Sequence, residues 1–404
     1  MSRARDPAPG FRDRDAQILI GARGLRGFAD GLMSIALPLQ LAAAGWDAFG
    51  IGGFLTATLL GSALCTLAVG LAGSRTPPRF LLLAAALLML LTGAGLAAID
   101  AVWALLALAF FGTLNPGASD VSVFLPTEQA LLAEAAPPRE RTSHFARYNV
   151  AGSLAGALGS LACGATPAAA ARLGSSGLGL PSCLVYSGIA LALLPLYARL
   201  RAGRRPLRAE ASAPLARSRR SVLQLTALFS LDSFAGGFAL QSLLVLWLSQ
   251  RFGLGVEEAG LVFFAAGLLS AVSQLASPWL ARRIGLVETM AYTHLPANAL
   301  LIAAALMPDA ASAVACLLLR AALSQMDVPA RQSLVMSLVP PEERPAAASL
   351  TNVPRSLAAG VAPLFAGGLL GASGSGWPLV CAGLLKIAYD LLLLARFRGR
   401  ESAA

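Results

Sequence analysis

The sequence is short of charge. Asp, Glu, Lys and Arg together make up 13% of its 404 residues, about half the share of an ordinary soluble domain. Hydrophobic residues reach 56%, so polar groups are too few to coat a soluble globule, and a soluble enzyme is excluded. Several chemistries have no residues to run on. The five cysteines, Cys65, Cys163, Cys183, Cys316 and Cys381, show neither a CxxC pair nor metal-ligand spacing, and packing inside apolar runs explains them. No GxxxxGK[ST] loop is present to cradle a nucleotide for ATP-driven pumping. No loop clusters histidines or carboxylates as a membrane enzyme would need, and neither metal nor organic cofactor is expected. Aromatics are only 7%, which argues against stacking of large planar drugs or sugars.

What is abundant is long apolar sequence. Runs long enough to cross a bilayer as helices recur from end to end, and mean hydropathy is +0.69. Twelve spans are expected, at 17–44, 49–73, 79–99, 102–135, 140–165, 181–199, 221–249, 256–281, 286–307, 311–338, 343–370 and 377–396. They form bundles at 17–199 and 221–397, a basic connector at 200–220, and tails at 1–16 and 398–404. An even number of spans puts both tails on one side. That side carries Arg3, Arg5, Arg12, Arg14, Arg75, Arg79, Arg282, Arg283 and the arginine-rich connector, against only Arg172 and Arg251 opposite. The positive-inside rule therefore assigns tails and connector to the cytoplasm. The expected home is the plasma membrane, or the inner membrane of a Gram-negative bacterium. The net charge of +10 is topological: membrane lipids are expected partners, and nucleic acid is not. The basic start and apolar core mimic a signal peptide, but Arg23, Arg26 and Asp30 interrupt it, so a retained helix is expected.

The chain repeats itself. Pro126, Gln129, Pro138, Glu140, Arg141 and Asn149 recur 203 residues later as Pro329, Gln332, Pro341, Glu343, Arg344 and Asn352. Phe28-Ala29-Asp30-Gly31 aligns with Phe234-Ala235-Gly236-Gly237. Within the repeat Glu128 is exchanged for Arg331 and, at a spacing of 206, Arg26 for Asp232. Such duplication predicts an all-α membrane protein of two pseudo-symmetric six-helix bundles. Small residues in the fifth and eleventh spans (Gly152, Gly156, Gly159; Gly360, Gly367, Gly368) should let helices approach closely.

The loop after the second span reads Gly70-Leu71-Ala72-Gly73-Ser74-Arg75-Thr76-Pro77-Pro78-Arg79, and the loop after the eighth ends Arg282-Arg283-Ile284-Gly285. Together with the repeat, this resembles the major facilitator superfamily of secondary transporters, whose loop motif is G-x-L-A-D-R-x-G-R-[RK]. Gly70, Arg75 and Arg79 fit the first copy, and Arg283 and Gly285 the second. Ser74 and Arg282 stand where the family has aspartate, so the loop lacks the acid with which members latch the cytoplasmic side.

Ionisable groups at bilayer depth are costly and mark paired or functional positions. Here the acids are Asp30, Asp120, Glu128, Asp232, Asp327 and Asp390; the bases are Arg23, Arg26, Arg147, Arg320, Arg331, Arg355 and Lys386. Spacing of four offers local pairs Arg26–Asp30 and Lys386–Asp390. Depth measured from the turns at Pro137-Pro138 and Pro340-Pro341 levels Glu128 with Arg147 and Asp327 with Arg355. The resemblance implies that spans 1, 4, 7 and 10 line a central cavity, placing Arg26, Asp30, Asp120, Glu128, Asp232, Asp327 and Arg331 on the substrate path. Glu128 and Arg331 would then face each other across it. Arg147, Arg320, Arg355, Lys386 and Asp390 are expected in gating or structural pairs, and His294 in a structural role. Asn115-Pro116-Gly117 should break the fourth span.

Such residues permit proton coupling, because a carboxylate that gains and loses an arginine neighbour changes its proton affinity. Glu128 or Asp327 is expected to carry the proton, and Arg331 or Arg26 to meet an anionic or polar substrate group. The function expected is secondary active transport of a small solute by alternating access, driven by the proton gradient, with efflux favoured and the protein a monomer. The alternatives are uptake of a polar or anionic solute, a transporter-like sensor that moves nothing, or a lipid flippase with a lateral apolar opening.

Overall fold

A computed structural model describes residues 9–72, 76–117, 122–135, 141–172, 179–201, 218–340, 343–373 and 375–398, and helices make up nearly all of them. In chain order they are α1 (Pro9–Ala43), α2 (Ala48–Ala72), α3 (Pro78–Ala98), α4 (Val102–Phe111), α5 (Leu125–Ala135), α6 (Arg141–Cys163), α7 (Thr166–Arg172) and α8 (Gly179–Ala198). The second half holds α9 (Arg219–Gly237), α10 (Gln241–Phe252), α11 (Val256–Ile284), α12 (Leu286–Leu306), α13 (Ala310–Ser324), α14 (Asp327–Leu338), α15 (Arg344–Ser373) and α16 (Trp377–Phe397). They run along the expected spans, with the fourth, seventh and tenth broken into α4/α5, α9/α10 and α13/α14, and the short α7 falling between the fifth and sixth. Asn115-Pro116-Gly117 lies in the non-helical stretch of the fourth. In the tenth, Pro329 falls in the first turn of α14, where its missing N–H costs no hydrogen bond.

Among the described residues eight helical stretches are long and apolar enough to cross a membrane, or nine if the bent pair His144–Cys163 and Thr166–Arg172 is one span. The first, fourth and ninth expected spans fall short. α1 buries Arg23, Arg26 and Asp30, the fourth span is interrupted, and α12 buries His294 and Asn298. The first and ninth trade hydropathy for polar groups turned inward.

The packing repeats under exchange of halves. α1 lies along α6, α3 along α8 and α2 along α4; correspondingly α9 lies along α15, α12 along α16 and α11 along α13. The halves meet through α2–α15 and α6–α11. Backbones come into contact between α1 and α6 within the first half and between α2 and α15 across the halves. A side chain at Gly27 or Gly31 would run into the backbone of Gly152 or Gly156, and one at Gly52 into Pro363, so the glycine-rich spans do serve close approach. A continuous apolar core fills the first half and crosses into α10, α15 and the start of α16. The connector side of the second half has a separate core around Phe229, Leu334 and Tyr389. The halves therefore share hydrophobic packing on the side away from the connector.

Candidate functional site

α1 and α5 bring Arg26 and Glu128 together in the interior of the first half. Both are buried, and Arg26 Nη2 donates to Glu128 Oε2 in a close ion pair. Tyr148 of α6 donates its hydroxyl to the same oxygen at 2.5 Å, and Tyr197 of α8 donates to Oε1 at 2.6 Å. Arg26 Nη1 reaches Ser122 Oγ at 3.2 Å, and the guanidinium sits 4.5 Å from the Phe124 ring centroid. A carboxylate with an arginine and two phenols on it is fully satisfied as an anion, which is what makes burying it tolerable.

The second half carries the same arrangement with the charges exchanged. Asp232 of α9 occupies the position equivalent to Arg26 and accepts from Arg331 Nη1 of α14, the equivalent of Glu128, at 3.2 Å. Lys386 of α16, the only lysine in the chain, donates to the other Asp232 oxygen at 2.6 Å. Arg331 also meets Asp327, one turn earlier, at 3.3 Å. Behind this cluster a second one joins α12 to α16. Asp390 lies 3.1 Å from His294 Nδ1 and accepts from Asn298 Nδ2 at 3.0 Å.

Several expected pairs are replaced by others. Glu128 and Arg331 do not face each other across a cavity; each meets its opposite charge on a neighbouring helix of its own half. A group with no exposed surface needs a partner in direct contact, and the nearest one wins. Arg147 is exposed, and the helix position after it, Tyr148, is the one that reaches Glu128. Asp327 pairs with Arg331, while Arg355 Nε donates to Ser233 Oγ at 2.8 Å. Lys386 turns to Asp232 and Asp390 to His294, so their spacing of four along the helix makes no pair. Asp30 makes no direct ion pair with Arg26 among the described residues: the Asn115 amide donates to it at 3.2 Å, and Arg26 and Arg23 act on it through space. Arg320 is half-buried in α13, with its Nε lacking a hydrogen-bond partner among the described residues. Asp120 and Arg75 lie outside the described residues. Of the other loop residues, Gly70 lies in the last turn of α2, and Arg79, half-buried, in the first turn of α3. Arg283 stacks over Trp279, and Gly285 turns the chain between α11 and α12 at φ +97. The sequence reading missed Tyr148 and Tyr197; their signal was a hydroxyl inside an otherwise apolar helix face.

The two halves are also tied on the side away from the connector. At the α9/α10 break, Gln241 Nε2 donates to Ser34 Oγ of α1 at 2.8 Å and to Ser160 Oγ of α6 at 3.2 Å. Ser242 Oγ approaches the Ser34 carbonyl at 2.9 Å and the Pro116 carbonyl at 2.8 Å.

A family model described as Major Facilitator Superfamily matches residues 19–363. The chain belongs to this superfamily. It is a multi-pass membrane protein and, with its family, a membrane transporter. A curated relative, the uncharacterized membrane protein YJR124C of Saccharomyces cerevisiae, is 26% identical over 96% of this chain and 95% of its own length. Among solved structures, a bacterial homolog of the human lysosomal transporter Spinster, inward-facing and occupied, superposes with a TM-score of 0.74 at 16% identity, over 98% of this chain and 99% of that one. The nucleoside transporter NupG superposes with a TM-score of 0.69 at 11% identity, over 96% and 99%. At such identities these neighbours speak to the fold alone. The superfamily fold explains why the inverted pairs sit where they do: they occupy equivalent helices, first and fourth in one half, first and fourth in the other.

Proposed function

We propose that the protein moves a small polar or anionic solute across the membrane by alternating access, coupled to the proton gradient. The observation that carries this reading is the unequal way its buried acids are held. Glu128 is locked by Arg26 and two tyrosines, so it serves as the fixed counter-charge of the first half. Asp30, one turn along α1, accepts a hydrogen bond from the neutral Asn115 amide, and Arg26 and Arg23 act on it only through space, without an ion pair. A carboxylate in that position can exchange a proton without leaving a cation orphaned, which makes Asp30, not Glu128 or Asp327, the proposed proton carrier. In the second half Asp232 is bracketed by Arg331 and Lys386. An incoming carboxylate or phosphate can compete with Asp232 for those two cations, which supports an anionic group on the substrate.

The latch of Gln241 and Ser242 ties the halves on the side away from the connector, and the positive-inside asymmetry supports a connector on the cytoplasmic side. Loading from that side makes efflux the proposed direction. Proteoliposomes under an imposed pH gradient test the reading. Asp30→Asn should abolish proton-driven flux while sparing solute counterflow exchange. Gradient-driven flux that survives in Asp30→Asn would remove Asp30 from the role, and absence of flux from the wild-type protein with every class of polar and anionic solute would overturn solute transport.

A further inference from the structure

On the far side from the connector, where α2 of the first half meets α9, α15 and α16 of the second, an open cavity of about 680 Å³ indents the bundle. Its walls include Phe49, Phe234, Phe238, Phe365, Gly368 and Leu384, and the only heteroatom-bearing side chain among its lining residues is the Cys381 thiol. Phe49 stands in the first turn of α2, while Gly368 and Leu384 lie within about two turns of the far ends of α15 and α16. Exposed Trp377 marks the start of α16, as an interfacial tryptophan does. Phe49, Phe365 and Leu384 on its walls are themselves exposed, so the cavity opens on the outer surface of the bundle, at the depth where the hydrocarbon of the far leaflet is expected.

We infer that this groove is a binding site for one acyl chain of a far-leaflet phospholipid. Water has nothing there to bond to, and apolar cavities without polar partners stay dry. Left empty, the phenyl rings on its walls would forfeit the dispersion contacts that close packing supplies. Acyl chains surround the opening at the concentration of a solvent, so mass action fills it even at modest affinity. The volume falls within the range that holds a drug-sized ligand. The groove is continuous with the α2–α15 seam, where Gly52 and Gly367 leave no free space between backbones. Walls from both halves mean that the bound chain touches each of them, and the site exists complete only while the far side is closed. The inference does not depend on what solute the protein moves, because the groove is separate from the buried ion pairs.

Gly368 offers the decisive variant. A Cβ there meets only Phe49 Cδ2, at an ordinary 3.6 Å, so a larger side chain can enter the groove without moving backbone. Purified protein is titrated with palmitoyl-oleoyl phosphatidylcholine in detergent, and retained lipid is counted by native mass spectrometry. Wild-type protein should hold one lipid more tightly than the rest, Gly368→Phe should weaken that binding by about tenfold or more, and Leu391→Phe, on an exposed part of α16 outside the groove, should not. Should Gly368→Phe fail to run as a single species on size exclusion, Leu369→Trp blocks the same groove. Equal retention in wild-type and groove-filled protein, or equal loss in Leu391→Phe, overturns the site.

Discussion

At the scale of single residues, the interior of this transporter is governed by the cost of an unpaired charge. Arg26 and Glu128 have so little exposed surface that removing either strands the other. Glu128→Gln should destabilise the folded protein by about 3–5 kcal/mol, the range for breaking a buried pair. The double replacement Arg26→Met with Glu128→Leu should recover only part of that loss, because an apolar pair needs no counter-charge but leaves the buried Tyr148 and Tyr197 hydroxyls without their acceptor. Thermal unfolding in detergent reads both. The same experiment separates structure from transport: the double variant should fold and still move no solute. Recovery of transport in it would show the pair to be dispensable.

At the scale of elements, glycine content decides which helices can touch. Gly367 of α15 lies so close to the Ala48 carbonyl of α2 that any side chain collides with backbone, whereas a Cβ on Gly188 of α8 meets nothing within 4 Å. Gly367→Leu is expected to prise α2 from α15 at about 1–3 kcal/mol or more for the overpacking and to stop flux. Gly188→Ala should be neutral or slightly stabilising, since alanine is the better helix former. Comparing melting temperature and uptake rate for the two variants checks this. The broken spans belong to the same scale. Breaks at the fourth, seventh and tenth spans free backbone and side-chain groups in mid-bundle, and two of the fragments so made, α5 and α14, carry Glu128 and Arg331.

At the scale of the whole molecule, the halves are held on one side by shared core and by the hydrogen bonds of Gln241 and Ser242. Each such bond contributes about 1 kcal/mol net. Gln241→Ala combined with Ser242→Ala should therefore shift the population towards a far-side-open state by roughly tenfold or more. Spin-label distances across the far ends of α1 and α10 would lengthen in the double variant. An unchanged distance distribution would show that the apolar contacts alone keep that side closed.

The order of apolar runs, the duplication and several of the buried charges were legible before any coordinates, although Arg147 proves exposed and Asp15 and Glu343 are buried without having been counted among them. They depend on local composition and on the bilayer's demand for helices of a set length. Even the two acid-for-base exchanges, Arg26 with Asp232 and Glu128 with Arg331, could be aligned by spacing alone. Which charge meets which could not. Spacing along one helix suggested Arg26–Asp30 and Lys386–Asp390, and depth suggested Glu128–Arg147 and Asp327–Arg355. The fold chose otherwise because partners are set by which helix faces pack together, through contacts a hundred residues apart. Tertiary structure alone showed that the two exchanges are one device, an ion pair built once in each half with its polarity reversed. The far-side latch and the apolar groove have the same origin: each is made of residues from both halves, which no single stretch of sequence brings together.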